Sequence, residues 1–134
     1  MSLGALSPQL MLNAYSKGIF PMAETAADPE LFWVDPKRRG ILPLDRFHIS
    51  RSMRQFLQCQ SITATLNKNF DVVLFQCANR DETWINSTLH RNYKELHALG
   101  RCHSLEVWQD GALLGGVFGI TIGGVFCGES MFSQ

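Results

Sequence analysis

Apolar residues along this chain recur with two different periods, and these periods predict where its helices and strands lie. Near the N-terminus, Ser7 suits a helix cap, Pro8 suits the first helical position and Gly18 suits the residue just past the end. A second helix is predicted from a cap at Ser50 to about Gln58. Its apolar stripe consists of Met53, Phe56 and Leu57.

From residue 61 onwards the pattern predicts a strand, two helices and then a meander of three strands. Residues 62–66 alternate as a strand, and the apolar residues that follow have helical spacing. The two helical stripes consist of Phe70, Val73, Leu74 and Cys77, and of Leu89, Tyr93, Leu96 and Leu99. Turn dipeptides at 110–111 and 123–124 separate the last three strands. This order predicts an α+β domain with helices on an antiparallel-rich sheet.

The same pattern predicts two units. Residues 1–60 form a smaller helical and loop unit, which packs on residues 61–134. The sequence stops directly after a strand of central character, so we expect an uncovered sheet edge and a chain that continues in a longer protein. An uncovered edge also predicts pairing with a second copy, which would make a homodimer.

The last stretch, residues 125–133, predicts a strand that carries one carboxylate among apolar residues. Regular alternation would put Val125, Cys127, Glu129 and Met131 on one face, and Phe126, Gly128, Ser130 and Phe132 on the other. Burying an ionised Glu is costly unless a cation or several donors meet it, and the stretch contains no Lys or Arg. Two interpretations remain open: a ligand ammonium pairs with Glu129, or Glu129 lies at a strand end and reaches water.

The net charge is zero, but the basic residues are concentrated in one segment. Residues 37–54 contain Lys37, Arg38, Arg39, Arg46, Arg51 and Arg54 against one acidic residue, Asp45. Arg51 and Arg54 fall in the first turn of the predicted second helix, where they oppose the helix dipole and where a phosphate would be favourable. The segment is either a site for a polyanion or an ordinary solvated face.

Composition excludes several classes of protein. The 134 residues and 46% hydrophobic content suit one domain with a core, and no apolar run reaches the roughly 18 residues of a membrane span. The four cysteines lie far apart, without the spacing of zinc ligands, which favours a reduced, cytoplasmic protein without a metal. The dense apolar residues of the loop-rich region before residue 36 line either a core or a pocket.

Seven groups of residues, in order along nearly the whole chain, resemble leucyl/phenylalanyl-tRNA–protein transferases. They are Leu12-Asn13-Ala14-Tyr15 leading into Gly18-Ile19-Phe20-Pro21; Phe32-Trp33 with Pro36; Phe47-His48-Ile49-Ser50-Arg51-Ser52-Met53; Thr83-Trp84-Ile85; His103-Ser104-Leu105-Glu106-Val107-Trp108; Gly115-Gly116 with Gly119; and Phe126-Cys127-Gly128-Glu129-Ser130-Met131-Phe132-Ser133. The resemblance implies a cytoplasmic enzyme that transfers Leu, Phe or Met from aminoacyl-tRNA to an acceptor protein with N-terminal Lys or Arg. The product carries a signal for protein degradation, an N-degron.

The resemblance also implies a fold and a set of partners. Residues 61–134 would be the first half of a domain similar to N-acetyltransferases, in a strand–helix–helix–strand meander order. No metal, nucleotide or coenzyme is implied, because the ester of aminoacyl-tRNA is already activated. The implied partners are aminoacyl-tRNA and the acceptor protein, with no membrane.

Roles for individual residues follow from the resemblance alone. Glu129 would meet the α-ammonium of the aminoacyl group, with Ser130 beside it. Trp84, Phe126, Val117 and Met22 would line the pocket for its side chain, although Val117 and Met22 differ in type from other members. The basic residues Arg51, Arg54, Lys37, Arg38 and Arg39 would hold the tRNA acceptor stem through phosphates. The Asp and Gln that perform the chemical step in the family are expected beyond Gln134, so no catalytic residue is named here.

Three other functions stay open at this point. The chain could be a module that binds aminoacyl-tRNA without transferring the amino acid. It could be an acetyl-CoA-dependent N-acetyltransferase, a class whose glycine-rich pyrophosphate loop follows the fourth strand, and the given sequence ends before such a loop could appear. It could also be a folded fragment without activity.

Overall fold

The computed structural model describes residues 5–134, so the first four residues of the predicted N-terminal unit lie outside the described part. The elements in chain order are α1 (Pro8–Ser16), β1 (Phe20–Met22), β2 (Phe32–Val34), a short 3-10 turn (Leu44–Arg46), α2 (Arg51–Cys59), β3 (Ile62–Leu66), α3 (Phe70–Ala78), α4 (Ser87–Ala98), β4 (Cys102–Gln109), β5 (Ala112–Ile122) and β6 (Val125–Ser133). Among the described residues there are four α-helices and two antiparallel sheets, which confirms the α+β class.

The helix ends follow the predicted capping residues. Ser7 and Ser50 each accept a hydrogen bond from a backbone N–H in the first turn of α1 and α2, at 3.1 Å in both cases. Gly18 has a φ of 78°, a left-handed value that glycine adopts without strain. These local signals were sufficient to locate both helices from sequence.

The larger sheet has the strand order β3-β4-β5-β6, and every neighbouring pair is antiparallel. Asp110 and Gly111 both have positive φ, as a tight hairpin turn requires, and they join β4 to β5 as predicted. The smaller sheet pairs β1 with β2. Within the described residues β6 is an edge strand, because it pairs with β5 alone.

One hydrophobic core contains residues of α1, α3, α4, β4 and β5. Its buried members are Leu6, Met11, Tyr15, Phe70, Val73, Leu74, Cys77, Ile85, Leu89, Tyr93, Leu96, Cys102, Phe118 and Ile120. Helix α1 therefore packs in the same core as the elements after residue 61. The predicted division at residue 60 remains a prediction.

Strand β6 departs from the regular alternation that the sequence suggested. Phe118 pairs with Ser130 while Gly119 pairs with Gly128, so Glu129 is the extra residue of a β-bulge. The bulge reverses the alternation that follows it. Ser130 now pairs with the core residue Phe118, and Phe132 packs against the core.

Met131 shows the other half of this reversal, because it is 67% exposed. The predicted faces are therefore wrong for Met131, Ser130 and Phe132. The physical reason is that side chains alternate between the two faces of a strand. One inserted residue therefore moves every side chain after it to the opposite face from the one that regular alternation predicts.

Helix α2 has the predicted bounds but almost no burial. Every residue of the helix is exposed, including the apolar stripe Met53, Phe56 and Leu57. The preceding segment is equally open, with Ile41, Leu42, Leu44 and Phe47 all exposed.

No helix of the described residues is long and apolar enough to cross a membrane.

Candidate functional site

The candidate site is centred on Glu129 and on both tyrosines of the chain. The Tyr15 hydroxyl donates to Glu129 Oε1 at 2.6 Å, and the Tyr93 hydroxyl donates to Oε2 at 3.2 Å. Each tyrosine is buried, Tyr15 on the last turns of α1 and Tyr93 in the middle of α4. A buried tyrosine hydroxyl needs a polar partner, and one carboxylate serves both.

The β-bulge of β6 aims this carboxylate at the helices. Glu129 is the inserted residue, so it projects to the core side independently of the pairs before and after it. Gly128 precedes it and leaves open space, since no atom lies within 4 Å of where a Cβ would stand. Bulges frequently redirect a side chain next to a functional site.

Burial sets the electrostatics of the cluster. Burial raises the pKa of Glu129 to about 7, and the hydrogen bonds from Tyr15 and Tyr93, together with the charge of Arg39, oppose this rise. Burial and the neighbouring carboxylate raise the pKa of both tyrosines. The tyrosines are therefore neutral hydrogen-bond donors at physiological pH, and Glu129 exchanges its proton near neutrality.

A cavity of about 200 Å³ lies against the carboxylate. It is lined by Phe20, Met22, Arg39, Trp84, Gly128 and Glu129. Drug-sized ligands usually occupy sites of roughly 300 Å³ or more, so this cavity suits a smaller group. Three apolar side chains, those of Phe20, Met22 and Trp84, form part of its wall, and one carboxylate and one guanidinium form the polar part.

The walls of the cavity are held together by the small sheet and the loop before α4. The Ala23 N–H donates to the Trp84 carbonyl at 3.2 Å, which ties the end of β1 to that loop. The Trp84 ring meets Tyr93 edge to face, with ring centroids 6.2 Å apart. Met22 and Trp84 are thus positioned as two sides of one pocket beside Glu129.

The structure does not bring all the predicted pocket residues to this cavity. Val117 lies between Gly116, whose Cβ would meet Val73 of α3, and the core residue Phe118, so it points to the opposite face of the sheet. Phe126 is half exposed, and its ring lies 2.6 Å from where a Cβ of Gly119 would stand. Neither residue lines the cavity, and their role in the pocket stays a prediction.

Ser130 faces Arg80 rather than the cavity. An Arg80 Nη2 donates to Ser130 Oγ at 3.0 Å and also to the Met131 carbonyl. This guanidinium, which follows α3, holds the edge of β6 directly after the bulge. Ser130 is therefore one residue from Glu129 but is not part of the cavity wall.

The predicted tRNA-binding residues separate into two groups. Lys37, Arg38, Arg51 and Arg54 are exposed. Arg39 is exposed too, but it lines the cavity, donates to the Gly18 carbonyl at 3.0 Å, and lies with its guanidinium carbon 5.1 Å from the Phe20 ring centroid. The described residues contain no group of three or more His, Cys, Asp or Glu that could hold a metal ion.

Two larger hollows exist elsewhere on the molecule. One of about 570 Å³ lies beside α4 and is lined in part by His90, Arg91 and Lys94, and one of about 450 Å³ lies beside Arg80. Neither contains a buried carboxylate. We assign the site to the smaller cavity because Glu129 lies there, a carboxyl group that forms no ion pair within 4.0 Å among the described residues.

Comparison with known proteins identifies the family of the chain. The sequence model described as leucyl/phenylalanyl-tRNA protein transferase matches residues 41–134, and the model of the N-terminal domain of that transferase matches residues 4–37. The chain belongs to the leucyl/phenylalanyl-tRNA protein transferase family.

Three relatives named leucyl/phenylalanyl-tRNA–protein transferase illustrate the relationship. The protein of Ruegeria sp. (strain TM1040) is 57% identical over 129 residues, 96% of this chain and 61% of the relative. That of Cereibacter sphaeroides (strain ATCC 17025 / ATH 2.4.3) is 56% identical over 134 residues, 100% of this chain and 63% of the relative. That of Dinoroseobacter shibae is 54% identical over 129 residues, which are 96% of this chain and 58% of the relative. The chain thus spans about 60% of the length of these curated relatives.

Sequence reasoning about this transferase family missed Tyr15, Tyr93 and Phe20 as members of the site. Tyr15 and Phe20 belong to the motifs that carry the family resemblance, and Tyr93 was interpreted as a core residue of α4. One signal could have found the tyrosines: two tyrosines on apolar helix faces need hydrogen-bond acceptors, and Glu129 needs donors.

Proposed function

We propose that this chain forms the aminoacyl-binding part of a leucyl/phenylalanyl-tRNA–protein transferase. The reaction moves Leu, Phe or Met from aminoacyl-tRNA to the N-terminal Lys or Arg of an acceptor protein in the cytoplasm, which marks the acceptor for degradation. The observation that carries the proposal is Glu129, which lines a small cavity together with Phe20, Met22 and Trp84 and has no basic side chain within 4 Å among the described residues.

The α-ammonium of an aminoacyl ester supplies the cation that Glu129 lacks. Two tyrosine hydroxyls already occupy one position on each carboxylate oxygen, and each oxygen keeps further acceptor capacity. An ammonium that entered the cavity would form a charge-assisted hydrogen bond and favour the ionised carboxylate. The tyrosines orient the carboxylate for this contact.

The apolar walls suit the side chain of the transferred amino acid. Phe20, Met22 and Trp84 offer two aromatic rings and one flexible thioether. A methionine wall adapts its shape, and one methylene more or less in such a pocket changes binding by only about 1–3 kcal/mol. Leu, Phe and Met side chains are all compatible with such walls.

The chemical step needs an activated ester, an amine and correct placement. The acceptor amine attacks the ester carbonyl, the bond to the tRNA ribose breaks, and an amide forms. The described residues contribute to this by fixing the ammonium and side chain of the donor, which raises the rate through orientation.

The exposed bases of the segment 37–54 suit contact with tRNA phosphates. Arg51 and Arg54 lie in the first turn of an entirely exposed helix, near Lys37 and Arg38 in sequence. We propose that they hold the acceptor stem. We also propose that residues 61–134 form the first part of an N-acetyltransferase-like domain, since one antiparallel meander with two preceding helices suits that arrangement.

A binding measurement tests the role of Glu129. The probes are a stable 3′-amide analogue of phenylalanyl-adenosine with a free α-amine and the same analogue with an N-acetyl group. We expect Glu129→Gln to weaken the free amine by roughly tenfold or more, the range of a hydrogen bond to a charged group, and to leave the acetylated probe unchanged. Glu95→Gln on the exposed surface of α4 is the matched control. Equal loss for both probes would contradict the proposal.

A salt titration tests the tRNA contact. Replacing Arg51 and Arg54 by Ala removes two phosphate contacts, so the slope of log affinity for aminoacyl-tRNA against log salt should fall by roughly 2. The control replaces both residues by Lys, which keeps the charge and should keep the slope. An unchanged slope in the Ala variant would refute the assignment.

A further inference from the structure

Arg39 takes a position that its place in a basic segment did not predict. It donates to the Gly18 carbonyl at 3.0 Å, lies over the Phe20 ring and lines the same cavity as Glu129. Lys37 and Arg38, its neighbours in sequence, do not line the cavity. The Arg39 side chain is therefore part of the wall of the candidate site.

The guanidinium and the carboxylate share this cavity without forming an ion pair. Among the described residues the ion pair within 4.0 Å is Lys94–Asp71, so the nitrogens of Arg39 stay beyond that distance from the oxygens of Glu129. A guanidinium has five N–H donors, and the hydrogen bond to Gly18 uses one. The wall of this cavity of about 200 Å³ thus contains a guanidinium with unused donors and a carboxylate with further acceptor capacity.

This pair of charges matches the two polar groups of an α-amino acid ester. The ammonium and the carbonyl oxygen of such an ester are separated by only two carbon atoms, and the side chain branches from the carbon between them. A carboxylate, a guanidinium and an apolar wall around one cavity present a complementary partner to each of these three groups. A phosphate would meet repulsion from Glu129 in the same space.

We propose that Arg39 is a substrate-binding residue that donates a hydrogen bond to the ester carbonyl oxygen of the bound aminoacyl group. This inference rests on the proposed function. As the acceptor amine attacks the carbonyl carbon, negative charge develops on that oxygen, and the ester C–O bond then breaks with release of the ribose hydroxyl. The proton lost by the amine balances the one gained by the ribose oxygen. Arg39 stays charged throughout and stabilises the oxygen.

Two small probes separate this role from a merely structural one. L-Phenylalanine methyl ester carries the ammonium and the carbonyl, and 2-phenylethylamine carries the ammonium alone. Binding is measured by NMR titration of the 134-residue chain, following the indole N–H of Trp84. We expect Arg39→Met to weaken the ester by roughly tenfold or more, as for other hydrogen bonds to charged groups. We expect it to leave the amine unchanged or slightly tighter, because a positive charge has left the cavity.

Controls make each outcome decisive. Arg91→Met removes an exposed charge on α4 and should change neither affinity, and Arg39→Lys should restore part of the ester affinity because it keeps the charge without the planar fork. If Arg39→Met weakens the binding of both probes equally, or of neither, the proposed role of Arg39 is wrong. If Arg39→Met disturbs the spectrum of the whole chain, the role of Arg39 is tested instead by comparing the affinities of the two probes for the Arg39→Lys variant. Failure of the unsubstituted chain to bind either probe would instead count against the proposed function.

Discussion

At the scale of single residues, Glu129 determines how the site responds to pH. Its pKa is raised by burial from an ordinary value of 4.5 to about 7. Between these two values the folded chain keeps a proton that the unfolded chain has lost. Below pH 7 the empty site therefore favours the carboxylic acid form of Glu129. A bound ammonium would lower the pKa of Glu129, so that the carboxyl group would lose its proton below pH 7.

The first prediction concerns stability between pH 4.5 and 7. Because the folded state binds the extra proton, Glu129 should lower the free energy of unfolding as pH rises through this range, by about 3 kcal/mol in total. Its contribution should be constant above pH 7. Urea denaturation at a series of pH values measures this, and the Glu129→Gln variant should lack this part of the pH dependence. A parallel pH dependence in the two proteins would contradict the raised pKa.

The sequence contained part of the information about these residues. The alternation around Glu129 showed a carboxylate that needs partners, and the family resemblance supplied a ligand ammonium. The tyrosine partners could not be located, because Tyr15 and Glu129 are 114 positions apart and only the folded core brings them together. The position of Arg39 at the cavity could not be predicted for a similar reason, since it depends on contacts with the Gly18 carbonyl and the Phe20 ring.

At the scale of elements, the pairing of β5 with β6 depends on Gly119. A Cβ at this position would stand 2.3 Å from the Cys127 carbonyl oxygen and 2.6 Å from the Phe126 ring. Both neighbours lie in β6, directly before the bulge. The close approach of the two strands thus requires a residue without a side chain.

The second prediction is that Gly119→Ala destabilises the fold by about 1–3 kcal/mol, the usual cost of overpacking. Backbone atoms must move to relieve the contact, since the nearest neighbour is a carbonyl oxygen. Gly124→Ala is the matched control, because nothing lies within 4 Å of its Cβ position. Thermal unfolding of the two variants measures the difference, and equal stabilities would show that β6 accommodates the methyl group freely.

Predictions at this scale succeeded where the determinants are local. The caps at Ser7 and Ser50 and the turn at Asp110-Gly111 were read correctly, because each signal acts within a few residues. The bulge was missed because nothing within residues 125–133 encodes it. It follows from how β6 aligns with Phe118 and Gly119 across the strand pair.

At the scale of the whole molecule, stability and exposure are unevenly distributed. The core joins α1 to α3, α4 and the central strands, while the segment from Ile41 to α2 contributes none of the buried residues. The helical period of α2 predicted an apolar stripe correctly, but a period alone does not tell whether a partner covers the stripe. Exposed apolar side chains add little to the stability of the fold.

The third prediction compares these two regions. Leu89→Ala in the core should cost about 2–5 kcal/mol, because it removes buried methyl groups and leaves a cavity. Phe56→Ala on α2, where half of the side chain is exposed, should change the free energy of unfolding far less. Chemical denaturation of both variants tests this. A comparable loss in the two would show that α2 is more closely integrated than its exposure indicates.

The extra residue in β6 makes the strand unusually sensitive to changes in length. Deletion of one residue at 128–130 would remove the bulge and allow uninterrupted pairing with β5, so the backbone would gain regularity. Phe132 would keep its partner Gly116, but the carboxylate would be lost or would take a fixed position in the ladder, opposite Gly119 or Phe118. Point substitutions in this stretch are therefore better tolerated than one-residue deletions, and an alignment gap here would be a stronger sign of altered chemistry than several changes of residue type.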